Sequence, residues 1–156
     1  MKQSVDEGLR RVGRGRVGVV GVGRLDRGDD AAGMVLAQRL KRCGLPVVLA
    51  EDVPESYTDA IKSLGCDVIL FVDAVDFGGA PGDVALLSAD ELRDDRHDTH
   101  RPSLALVMKY LAHDAKLECL LLGIQPSQVR QGSGLSQEVQ NAVEEIGELV
   151  CEILRE

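Results

Sequence analysis

From Val17 onward the chain alternates short apolar runs with amphipathic stretches. VGVVGVG at 17–23 is continuously apolar, as a strand buried on both faces would be. DDAAGMVLAQRLKR at 29–42 begins acidic, ends basic and sets Ala32, Val35, Leu36 and Leu40 on one face, which predicts a helix. PVVLAED (46–52) reads as a second strand, YTDAIKSL (57–64) as a short helix and CDVILFVDAV (66–75) as a fully buried strand. GDVALLS (82–88) follows as a strand, RDDRHDTH (93–100) as a loop without period, and SLALVMKYLAHD (103–114) as a helix. KLECLLLGIQ (116–125) is the last strand, and 135–156 a long closing helix. Ser136 is the expected cap of that helix, with Val139, Val143, Ile146, Val150 and Ile153 as its stripe.

Strands alternating with helices imply one α/β domain over 17–156, a three-layer sandwich with a mostly parallel sheet between helices. In such sheets ligands bind outside the carboxyl ends of the strands. Residues 1–16 show no apolar period and carry five basic against two acidic residues, so a loose basic N-terminal extension is expected there.

Composition narrows the partners. The 156 residues include 18 Lys and Arg against 26 Asp and Glu, a net charge of -8 that repels phosphate backbones and anionic lipid. Aromatic residues are only 3%, too few for stacking platforms, so nucleic acid is not an expected partner. No apolar run approaches the roughly 18 residues of a membrane span. No apolar stretch of a secretory signal is present at the N-terminus, so a cytoplasmic location and no membrane partner are expected. Cys43, Cys66, Cys119 and Cys151 are widely spaced without a CxxC pair, which predicts reduced core thiols.

The loop between the first strand and the first helix, GVGRLDRGDDAAG at 21–33, sits where nucleotide fingerprints occur. A dinucleotide GxGxxG needs glycine at position 26, where Asp26 stands. A phosphate loop needs Lys and Ser or Thr after Gly28, where Asp29 and Asp30 stand. The charge is inverted, which favours a cation over a phosphate. Aspartate at a helix start more often caps the first turn, for about 0.5–2 kcal/mol, and Asp29 is open to that role alone.

Asp73 ends the apolar run 68–72 and so falls at the carboxyl end of a central strand; Asp76, in the following turn, is the weaker candidate. His113 lies on the polar end of a helix, whereas His97 and His100 lie in the loop before it, within reach of the same sheet edge. Two carboxylates and one imidazole would suit a borderline divalent ion such as nickel or zinc, with positions left open for substrate. No GxSxG elbow and no Cys and His pair suggests nucleophilic catalysis.

With GVGRLDRGDDAAG at 21–33, VDAVD at 72–76, TH at 99–100 before a helix and LGIQP at 122–126, the chain from Val17 onward resembles the hydrogenase maturation endopeptidases. These trim the C-terminus of the large subunit of nickel-iron hydrogenases. The LGIQP segment is similar to the subgroup that serves formate-linked and membrane-associated hydrogenases. The resemblance implies a twisted five-stranded sheet with one antiparallel strand, and an aspartic-type endopeptidase that activates its hydrogenase. It implies Asp30, Asp73 and His100 as the nickel-contacting set, with Asp30 and Asp73 as the catalytic carboxylates. The expected partner is the large-subunit precursor, the nickel is supplied by that substrate, and the enzyme is expected to be a monomer. The usual Asn after the GxG is replaced by Arg24. The competing readings are a noncatalytic nickel or zinc carrier using the same three groups and a small-molecule enzyme of the doubly wound class.

Overall fold

Runs of valine, isoleucine and leucine with no polar interruption form the centre of a sheet. In the computed structural model, which describes residues 2–92, 103–127 and 134–155, the strands are β1 Val17–Val22, β2 Val47–Glu51, β3 Val68–Ala74, β4 Val84–Leu87 and β5 Glu118–Ile124. Their order is β2-β1-β3-β5-β4, and only β4 runs antiparallel, against β5. β1 is buried along its whole length and β3 along all but its last residue, which is why their sequences do not alternate.

The helices are α1 Lys2–Val12, α2 Ala32–Arg42, α3 Thr58–Lys62, α4 Leu104–Asp114 and α5 Gln137–Leu154. Side chains pointing alternately from each strand divide the core in two. Val17, Val19, Val68, Leu70 and Val72 pack with α1, α2 and α5 on one face. Val20, Val22, Ile69 and Phe71 pack with α3 and α4 on the other. The expected three-layer α/β sandwich is therefore present. No helix among the described residues is long and apolar enough to cross a membrane.

Two expectations are corrected. Residues 2–12 are not a loose extension: Val5, Leu9 and Val12 lie on one side of α1 and are at most 2% exposed, joined to the core shared by β1, α2 and α5. Arg10 and Arg11, two of the basic residues that suggested a tail, occupy the exposed side of α1, and the Arg11 guanidinium donates to both carboxylate oxygens of Glu118 at 2.7 and 3.3 Å. A stripe of only three apolar positions among eleven residues is short for a periodicity reading. Nor are all four cysteines thiols. Cys43 after α2 and Cys151 on α5 form a disulfide, with Cα atoms 6.3 Å apart. Cys66 and Cys119 are free. Burial raises the pKa of both thiols, that of Cys119 to about 12.

Candidate active site

The first loop is shaped by two close approaches that only glycine permits. Gly23 has φ +135°, and a Cβ there would stand 2.1 Å from the Asp30 carbonyl oxygen. Its N–H donates to the Glu51 carbonyl at 2.7 Å, tying the loop to the end of β2. The chain then makes a short 3-10 turn at Gly28–Ala31 before α2 begins, so the helix starts three residues later than its acidic residues suggest. Within this turn Asp30 faces back, and the Arg24 peptide N–H donates to its Oδ2 at 3.3 Å.

Gly33 then rests directly on the sheet. A Cβ at this position would lie 2.2 Å from the Val72 carbonyl oxygen, 2.3 Å from that of Val22 and 2.8 Å from the Asp73 Cα. The first turn of α2 thus sits across the carboxyl ends of β1 and β3, so the 3-10 turn that carries Asp30 lies at the edge where Asp73 stands near the end of β3. Asp73 is 2% exposed and lies opposite Gly123 of β5 in the parallel register. By strand alternation its side chain follows Ile69 and Phe71 onto the face that α4 covers. Asp30 is half-buried.

The structure therefore brings together the two predicted carboxylate positions. His100, the third predicted member, and His97 lie outside the described residues. Among the described residues, no three His, Cys, Asp or Glu side chains are arranged to hold a metal ion. His113 lies in the last turn of α4 and is exposed.

Asp29 does something its position did not announce. It is fully buried, and instead of capping α2 it accepts the Ser127 N–H at 2.8 Å, the Ser136 N–H at 2.7 Å and the Ser136 hydroxyl at 2.8 Å. Ser136 is the expected N-cap of α5, yet its hydroxyl turns to Asp29 rather than to its own helix. The carboxylate next to Asp30 thereby holds the end of β5 and the start of α5 together, at the positive end of the α5 dipole.

Gln125, in the LGIQP segment, is 7% exposed. Its Oε1 accepts the Phe77 and Gly79 N–H groups, each at 3.0 Å, and its Nε2 donates to Asp76 Oδ1 at 3.1 Å. Asp76 Oδ1 also accepts the Gly78 N–H at 3.0 Å. Sequence reasoning assigned Gln125 no role. The available signal was a lone amide at the end of a buried apolar strand, which has to find partners there.

Arg24 contacts Asp30 through its backbone N–H while its side chain pairs with Asp26. The guanidinium donates to the two Asp26 oxygens at 3.2 and 3.1 Å and holds that carboxyl below its ordinary pKa. This pair and the exposed Leu25 line an open cleft of about 480 Å3 with Gly23, Glu51 and Asp52.

A mostly parallel sheet covered on both faces, with no nucleotide loop and two aspartates at one carboxyl edge, defines a three-layer α/β protein. The model of the hydrogenase maturation protease family HycI matches residues 39–153, and the chain belongs to that family of peptide-bond hydrolases. The hydrogenase 3 maturation protease of Escherichia coli K12 is 31% identical over 129 residues, covering 80% of this chain and 82% of its own. The crystal structure of the [NiFe] hydrogenase maturation protease HycI from Thermococcus kodakarensis KOD1 superposes with a TM-score of 0.85 at 30% identity, covering 96% and 99% of the two chains. The hydrogenase maturating endopeptidase HybD of E. coli shares the fold at 21% identity, with a TM-score of 0.74 and coverage of 90% and 92%.

Proposed function

We propose that this protein removes the C-terminal extension of a nickel-iron hydrogenase large-subunit precursor after nickel has been loaded into that subunit. The observation that carries the reading is the seating of Gly33 on the ends of β1 and β3, which puts Asp30 and Asp73 on one edge. Membership of the maturation protease family and the likeness to a hydrogenase 3 maturation protease support the choice of substrate.

In this account Asp30, Asp73 and His100 recognise the nickel of the substrate by completing its coordination, so that a nickel-free precursor offers little to grip. When present, that nickel supplies Lewis-acid polarisation of the scissile carbonyl or of a water. Water adds to the carbonyl carbon, its proton passes to a carboxylate, and the C–N bond breaks as the departing amine takes a proton. Asp30 is the more exposed of the two carboxylates and so the more open to an attacking water; Asp73 is held nearly dry beside it. The cleft beside Asp30, with Leu25 at its rim, gives the precursor chain a way in.

The test replaces each member singly. Asp30→Ala, Asp73→Ala and His100→Ala are expected to keep the circular dichroism of the parent protein and to leave a nickel-loaded precursor uncut. If His97→Ala were the inactive variant and His100→Ala cut normally, the assignment of the third contact would be wrong.

A further inference from the structure

We propose that Gln125 is a positioning residue for the cleavage. Its amide sets the turn that follows Asp73, and the backbone two residues on anchors the turn that carries Asp30. The inference rests on the peptidase reading above and adds to it the group that fixes the two carboxylate loops relative to one another.

Three consecutive peptide N–H groups of the turn after β3, those of Phe77, Gly78 and Gly79, end on the Gln125–Asp76 pair. This turn begins only three residues after Asp73. Gln125 is itself immobilised, because its N–H donates to the Asp83 carbonyl at 2.8 Å and its carbonyl accepts the Gly82 N–H at 2.9 Å. One residue earlier, the Ile124 carbonyl accepts the Val75 N–H at 3.0 Å. Two residues later, the Ser127 N–H meets Asp29 at 2.8 Å, next to Asp30. Residues 123–127 thus run from the register partner of Asp73 to the anchor of Asp30's turn. A displacement of this segment moves both carboxylates, and misplacement by about 1 Å can cost a site on the order of a hundredfold in rate.

Gln125→Met keeps side-chain length and volume but offers no acceptor to Phe77 and Gly79. Gln125→Glu keeps an acceptor for both N–H groups and loses the donor to Asp76. With a nickel-loaded precursor as substrate, Gln125→Met is expected to lower kcat about tenfold or more while KM stays within about threefold. Amide hydrogen exchange at Phe77 and Gly79 is expected to speed up, with Phe71 and Leu121 in the core still protected. Should Gln125→Met fail to fold, Gln125→Glu is read instead: it sets a carboxylate against Asp76, the acceptor of the Gly78 N–H, so faster exchange at Gly78 and the same fall in kcat are expected, and a parental kcat with that faster exchange would overturn the proposal.

Cleavage by a folded Gln125→Met at the parental rate, despite faster exchange at Phe77 and Gly79, would overturn the proposal and reduce the amide to a structural role. A rise in KM at constant kcat would also overturn it, by making Gln125 a substrate contact. If the parent protein itself left the nickel-loaded precursor whole, the peptidase reading would fall, a result distinct from a variant that matches an active parent.

Discussion

Ser136 gives both its backbone N–H and its hydroxyl to the carboxylate of Asp29, at 2.7 and 2.8 Å, across 107 residues of chain. The Ser127 N–H is a third donor, so hydrogen bonds from two segments distant in sequence meet the buried charge. Asp29→Ala removes the acceptor that these three donors share and is expected to cost about 3 kcal/mol of folding stability. Ser136→Ala removes one bond of the three and should cost about 1 kcal/mol. Urea denaturation checks both; a loss of only about 0.5 kcal/mol for Asp29→Ala, ordinary for a surface site, would contradict the clasp.

Leu9 is fully buried on α1. Leu9→Ala is expected to destabilise the protein by about 2–5 kcal/mol, as for other buried leucines, whereas Arg14→Ala, at an exposed position, should fall within about 0.5 kcal/mol of the parent. The same urea titration decides it. Equal, negligible effects would mean that residues 2–12 do not pack on the sheet.

Gly33→Ala forces a methyl group against two carbonyl oxygens of the sheet. The neighbours are backbone and cannot rotate aside, so α2 must lift. A loss of roughly 3 kcal/mol is expected, together with a fall in cleavage, because Asp30 moves with the helix. Thermal unfolding and a precursor-processing assay read the two effects.

Thiol titration with a disulfide exchange reagent tests the cysteines. In denaturant without reductant two thiols should react, and after reduction four, because Cys43 and Cys151 are bonded. In the native protein near pH 8, Cys66 and Cys119 should react slowly, since the thiolate is the nucleophile and burial raises both pKa values. The sign for stability follows. The unfolded Cys119 thiol ionises near 9.0 and the folded one near 12, so its contribution is full below pH 9 and is lost as the pH rises toward 12. Alkaline unfolding followed from pH 8 to pH 11 should show that decline.

Much of the fold was legible because strands buried on both faces write themselves as unbroken apolar runs; β1 and β3 are the plainest cases. The stripe of α5 and the place where the helix begins were equally clear. What stayed hidden depended on contacts distant in sequence. The partners of Asp29 are 98 and 107 residues away, and those of Gln125 up to 49, so no local pattern could show them. α1 escaped notice because its apolar side is narrow and its exposed side crowded with arginines. The disulfide joins residues 108 apart, at a spacing that carries no sequence signature. Asp30 and Asp73 could be placed at one sheet edge from strand ends alone, but the reason they share it, the seating of Gly33, needed coordinates.

The most direct test of the central claim is the mass of the large-subunit precursor after incubation with this protein, compared between nickel-loaded and nickel-free forms. The account predicts loss of a C-terminal peptide from the nickel-loaded form alone. Equal cutting of both forms would contradict the nickel checkpoint, and tight nickel binding without any cutting would identify a carrier instead of a protease.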